Sequence, residues 1–285
     1  MKRREMLAAT GAAVLGLSTF PFGWAAAAEN KKQKVLYFTR SAGFEHGAVK
    51  RNGDELSFSE KTLIEMGKKA GFEVECTKDG TVFDGDLDQY DCIAFYTSGD
   101  LTQPKEGQGP PMSPEGKKKL LDAIAAGKGF VGIHAATDSF QSGGIDPYIA
   151  MLGGEFVSHG PQQQATVTVT SPKFPGVGKE KSLTMHEEWY ALEKFAENLH
   201  VILVQETEGM QGGCYQRPPF PATWARMHDK GRVFYTSFGH RDDIWTNPAV
   251  QSIMLGGFAW TMGNVDADVT PNIAQVTPKA NQLKN

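Results

Sequence analysis

Cysteine is scarce in this chain. Cys76, Cys92 and Cys214 are the only three among 285 residues, and no two stand at CxxC spacing. That excludes a zinc ribbon or a CxxC redox dithiol. Cys76 and Cys92 lie in the strand-like runs EVECT and DCIAFY. They read as core residues that could form one bridge in an oxidising compartment. No GxGxxG follows the first strand-like run, KVLYFT, and no HExxH occurs. A flavodoxin-type or dinucleotide-binding redox protein therefore ranks low, and a helical zinc-protease motif is missing. Basic excess is missing as well, with 29 Lys and Arg against 33 Asp and Glu. Nucleic acid and anionic membrane surfaces are not expected partners.

Long apolar runs are also few. The main one, Met6 to about Trp24, is short for a membrane span, which needs roughly 20 apolar residues with suitable flanks. It follows Lys2, Arg3 and Arg4 and precedes four alanines, Ala25 to Ala28. Residues 1–28 thus read as a signal peptide. KRREML resembles a twin-arginine export signal; an ordinary Sec signal that carries two arginines is the other reading. Twin-arginine export carries folded proteins and would suit a chain that acquires a cofactor or metal before leaving the cytoplasm. What remains is an exported chain, periplasmic or extracellular, with no expected membrane span. It has about 257 residues, enough for one large domain. Without Lys2, Arg3, Arg4 and Glu5 it carries 26 basic and 32 acidic side chains, a net of −6.

What is present is an alternation. KVLYFT, FEVECT, DCIAFYTS and GFVGI read as buried strands. Between them, Ser57 to Ala70 shows helical apolar spacing and stops at Gly71. A second helix opens at Ser113 as N-cap with Pro114 first, and runs to Ala126. Strand–helix alternation argues a mostly parallel sheet with helices on both faces. The second half is richer in strands. ATVTVT and HVILVQE are two of them, and ATWARMH with GRVFYTSF flank the turn DKG as a β-hairpin. Asn247 and Pro248 open a last amphipathic helix, and residues 264–285 read as an extended polar tail.

Open α/β sheets bind ligands beyond the carboxyl ends of their strands. The residues there are His46 in RSAGFEHG, His134 with Asp138 in HAATD, and His240 in SFGHRDDIW. Two loops add His159 in GGEFVSHG, and His186, Glu187 and Glu188 in HEEWY. Imidazoles there can act as general acid or base or ligate a metal. In an extended HEEWY only one of each neighbouring pair faces the site, and His186 or Glu187 is the expected one. Asp138, four residues after His134, would share its face in a helix. Trp189, Tyr190, Trp224 and Trp245 could stack on a sugar ring, Trp245 best placed of the four.

AGFEH, GFVGIHAATD, GGEFVSHG, HEEWY and GRVFYTSFGH, in that order, resemble the ThuA-like (trehalose utilisation) family over roughly residues 34–263. The resemblance implies a class I glutamine amidotransferase-like fold, a flavodoxin-like α/β sandwich. In the amidotransferases a Cys sits in a G-x-C-x-G turn and a His follows a later strand. Here Gly132-Ile133-His134-Ala135-Ala136 stands at the first position and His240 at the second. Without the thiol, covalent glutaminase chemistry is not available. The family's association with 3-keto-sugar pathways implies a small-molecule saccharide or 3-keto-glycoside as substrate. His134 and His240 are the expected acid/base pair, with His186 or Glu187 assisting; His46, His159, Asp138 and Trp245 are expected to bind substrate. A divalent metal is compatible with this set, and a non-catalytic carbohydrate-binding module is the rival reading.

Overall fold

A computed structural model describes residues 32–283; the expected signal peptide lies outside the described residues. Strands β1 (Lys34–Phe38), β2 (Glu73–Thr77), β3 (Cys92–Phe95) and β4 (Gly129–Ile133) alternate with helices α1 (Phe58–Ala70) and α2 (Pro114–Ala125). Then follow α3 (Pro147–Leu152), β5 (Glu155–His159), β6 (Gln163–Val169), β7 (Ser182–Glu187), β8 (Tyr190–Glu193) and β9 (His200–Gln205). The hairpin β10 (Phe220–His228) and β11 (Gly231–Thr236), then α4 (Asp242–Trp245), α5 (Pro248–Thr261) and α6 (Ile273–Val276), complete the order.

One nine-stranded sheet runs β2-β1-β3-β4-β11-β10-β9-β6-β7. Its first five strands are parallel, and the hairpin reverses the direction so that the last four extend it antiparallel. The sheet is therefore mixed, with a parallel half where the sequence alternates and an antiparallel half where it is strand-rich. A separate pair, β5 with β8, packs beside it. Helices α1 and α5 pack together, as do α2 and α3, against β2, β4 and β11.

Local chemistry sets the helix ends. Ser57 and Glu60 form a capping box at the start of α1, and Ser113 caps α2 with Pro114 first. The parallel strands are apolar on both faces because helices cover both; every residue of β3 and β4 is buried. Among the described residues, no helix is long and apolar enough to cross a membrane. All three cysteines are free thiols.

The segment after α5 does not trail free as an extended tail. Ile273 and Ala280 are buried, the Asn272 side chain hydrogen-bonds both Val201 backbone groups, and the buried Arg217 donates to the Ala280 carbonyl. Two apolar residues in a polar run were enough to dock it, and a composition average hides them.

Candidate functional site

The parallel neighbours β1, β3, β4 and β11 end on one side of the sheet. The segments leaving them carry His46, Tyr96, His134 and His240. Glu188 arrives from the other half, on the link between β7 and β8. Parallel register places the first four side by side; only the antiparallel half's return brings in the fifth.

At the end of β4 the chain turns sharply. His134 has φ +44°, in the left-handed region that costs a non-glycine residue about 1 kcal/mol or more. The turn is held by its neighbours. The Tyr235 hydroxyl donates to the His134 carbonyl at 2.8 Å, and His134 Nδ1 lies 2.7 Å from the Ser237 carbonyl oxygen. A carbonyl only accepts, so Nδ1 carries the ring proton and Nε2 is bare in the neutral ring. The ring is fully buried. Burial, joined by His46 and His240, pulls its pKa down to about 4 against the pull of Glu188 and the Ser237 carbonyl.

Glu188 is the hub. Its Oε2 lies 2.9 Å from His240 Nδ1, 3.4 Å from His134 Nε2 and 3.7 Å from His46 Nε2. Its Oε1 lies 3.4 Å from His159 Nδ1. Burial raises this carboxyl, and the imidazoles of His134, His240 and His46 outweigh it, holding the group well below the usual carboxylate range. It is ionised at neutral pH. The three ring centroids stand 5.0 to 5.5 Å apart. Burial lowers the His46 pKa as well, and His46 Nε2 meets the Tyr190 hydroxyl at 3.0 Å. His46, His134, Glu188 and His240 each offer a ligand atom within 4.8 Å of the others, the one such group among the described residues.

The other expected residues fall in different places. His159 stays half-exposed at the open side of the cluster, its Nδ1 2.9 Å from the Gly160 carbonyl. His186 is not brought in: it is exposed on β7, paired with Gln164 of β6. Glu187 is fully buried behind the site, where it accepts from the backbone N–H of Glu188 at 2.7 Å and of Gly239 at 3.1 Å. Burial pushes its pKa up to about 7. Its place is to hold the Gly239–His240 turn. Trp245 is also fully buried and offers no face to a sugar; its Nε1 donates to the Gly239 carbonyl at 2.8 Å. Trp189, Tyr190 and Trp224 are buried too. The aromatic left open is Phe44, 67% exposed, its ring 4.9 Å edge-to-face from His46.

Glu188 sits beside the residues first favoured. Strand β7 ends at Glu187, so period-two alternation stops there and both glutamates are buried. The buried run after His186 was the available signal. Gln162 gave none: its Nε2 meets His240 Nε2 at 2.9 Å and its Oε1 accepts from Arg241 at 3.0 Å.

Asp138 closes a 3₁₀ turn and not a helix, so it does not share a helical face with His134. Burial pushes its carboxyl up to about 6. A raised folded pKa means the folded chain holds this proton more tightly than the unfolded one, so stability falls as pH rises from about 4 to 6. Asp138→Asn is expected to stabilise the protein at pH 8 by about 1–3 kcal/mol, discounted for partial exposure, and to change nothing below pH 4. Urea denaturation at both pH values checks this; an equal effect at both would rule the burial account out.

Residues 34–261 match the profile of a family described as ThuA, trehalose utilisation. Among curated proteins none matches the chain. Two of the solved structures that resemble the chain are ThuA-like proteins. A ThuA-like protein from Parabacteroides merdae is 16% identical, with a TM-score of 0.62 over 84% of this chain and 93% of that one. A ThuA-like protein from Bacteroides uniformis is 19% identical, with a TM-score of 0.62 over 83% and 94%. At these identities the likeness is one of fold.

Proposed function

The chain belongs to the ThuA (trehalose utilisation) family, and from that premise we propose an exported enzyme acting on a saccharide, specifically a 3-keto-glycoside. The observation that carries the reading is the ionised Glu188 ringed by three imidazoles where four parallel strands end. The charged signal-like start supports export, and the family's description, trehalose utilisation, supports a sugar substrate. With His134 in the amidotransferase nucleophile position there is no thiol for acyl transfer.

The acid/base roles differ from a simple His134–His240 pair. His134 is buried with Nδ1 committed to Ser237 and a pKa near 4, so it does not exchange protons with solvent at neutral pH. His159 does reach solvent. Its Nδ1–H donates to Gly160, which leaves Nε2 as the basic nitrogen. In the proposed step Nε2 takes the proton from the carbon next to the keto group. The electron pair forms an enolate, the glycosidic C–O bond breaks, and the leaving oxygen gains a proton from solvent. Phe44 offers the sugar ring an apolar face beside His46.

The test is turnover of 3-keto-trehalose and related keto-glycosides by the full chain. His159→Ala is expected to lower kcat/KM by about 10²–10⁴-fold, the range for a general base, with the fold intact. A wild type that binds these sugars and turns none over would overturn the enzyme reading and leave a carbohydrate-binding module.

A further inference from the structure

We infer that His46, His134, Glu188 and His240 form the binding site of one divalent transition-metal ion. This deepens the proposed function by naming the cofactor of the same centre, but it stands on its own geometry.

The first observation is convergence. Ligands about 2.1 Å from a tetrahedral ion lie about 3.4 Å from one another. The three nitrogens lie 2.9, 3.4 and 3.7 Å from Glu188 Oε2. Four different chain segments supply them, three of the four side chains are buried, and His240 is only 18% exposed.

The second is a pair of buried ligand atoms without partners. His134 Nδ1 keeps the ring proton for Ser237, so its Nε2 meets Glu188 Oε2 at 3.4 Å with no proton of its own to donate. Neither protein nor solvent relieves this. Nε2 is buried without a hydrogen-bond partner. His240 Nδ1 is likewise buried and unpartnered, since at 2.9 Å it lacks hydrogen-bond geometry to Oε2. A cation held between them would satisfy several unpaired buried polar atoms at once.

The third is the outer layer. Metal-bound imidazoles commonly donate their other N–H to a carbonyl or carboxylate, which fixes the tautomer. His134 already does so through Ser237. His240 needs one adjustment. Its Nε2 faces the Gln162 amide nitrogen, so Gln162 must turn its amide over to accept from Nε2–H when Nδ1 takes the ion. Gln162 is exposed, and the turn gives up the bond its Oε1 accepts from Arg241 at 3.0 Å. His46 lacks this support: its Nδ1 is buried without a partner, and the Tyr190 hydroxyl now on Nε2 must give way when that nitrogen takes the ion.

Three nitrogens and one carboxylate disfavour magnesium and calcium, which take oxygen ligands, and suit zinc, cobalt, nickel or iron(II). Four protein ligands fill a tetrahedral site, so such an ion would polarise a sugar carbonyl or hydroxyl oxygen only by expanding to five-coordinate.

The experiment uses full chain purified without a histidine tag, stripped with chelator and shown folded by circular dichroism. Zn²⁺ and Co²⁺ are titrated by calorimetry, and the Co²⁺ visible spectrum is recorded. One equivalent is expected in wild type and in His186→Ala, whose imidazole lies outside the cluster. Affinity should fall at least a hundredfold in His134→Ala and in Glu188→Gln, the latter retaining side-chain volume should the former not fold. Failure of both ions to bind folded wild type at millimolar concentration overturns the inference, as does equal binding by the variants. Stoichiometric metal without turnover of any keto-glycoside supports the site and sinks the enzyme reading. Turnover by protein that binds no metal does the reverse.

Discussion

Glu188→Gln should abolish most keto-glycoside turnover, by about 10²–10³-fold, the range lost when one preorganised charge-stabilising group is removed. It should do so without weakening the fold. In the folded chain the carboxylate faces the bare Nε2 of His134 at 3.4 Å, lone pair against lone pair. The glutamine amide keeps the shape and brings an N–H that can donate to that nitrogen. Stability should therefore hold or rise by about 1 kcal/mol, the typical worth of one added hydrogen bond. Opposite movement of activity and stability is the signature of a group kept for chemistry at a cost to folding.

The bland account makes the reverse forecast. If Glu188 were a structural ion-pair partner for His240 and His46, neutralising it would leave buried cations unpaired and cost about 3–5 kcal/mol. Turnover would then fall only as far as the folded fraction falls. Urea denaturation beside steady-state kinetics on the same preparation separates the two. A strong loss of stability with kcat unchanged in the folded fraction would remove Glu188 from the catalytic centre.

Much of this frame was legible in the residues. The four parallel strands, both capped helices and the hairpin follow from apolar runs, Ser and Pro at helix starts, and a two-residue turn at Asp229 and Lys230. His46, His134 and His240 were legible as strand-end residues, because a parallel sheet delivers successive strand ends to one side. Glu188 was harder. Its place depends on β7 stopping at Glu187, and a one-residue difference in where a strand ends exchanges the faces of its neighbours. Trp245 misled for a different reason. Its sequence distance from His240 is right, but its indole is spent on the Gly239 carbonyl, a contact set by the Tyr96 and Trp245 packing at 6.3 Å. The exposed Phe44 carries no periodicity because it lies in a loop. The convergence of ligand atoms is a property of side-chain directions, which no local spacing encodes.

Gly99→Ala carries the second large effect, and it acts on the centre without touching it. Gly99 has φ +72°, a region that costs an alanine about 1–2 kcal/mol. A Cβ there would sit 2.3 Å from the Gly43 nitrogen and 2.8 Å from the Ala42 carbonyl carbon. Both are backbone atoms and cannot rotate away. The same contact is stitched by hydrogen bonds: Ala42 N and Gly43 N donate to the Ser98 carbonyl at 2.8 and 2.9 Å, and the Ser98 hydroxyl donates to the Phe44 carbonyl at 2.6 Å. Relief requires the segment from Ser41 to His46 to lift off, and it takes His46 and Phe44 with it. Strain and overpacking together should cost about 2–5 kcal/mol of stability. What survives folded should bind Zn²⁺ at least tenfold more weakly, because one ligand is displaced, in the range seen when the support of a ligand is disturbed. Gly143→Ala is the control: a Cβ there meets nothing within 4 Å, and it should stay within about 0.5 kcal/mol of wild type. Equal stability and equal Zn²⁺ affinity in the two variants would show that the loop adapts, and that His46 is not held in place by the backbone beneath it.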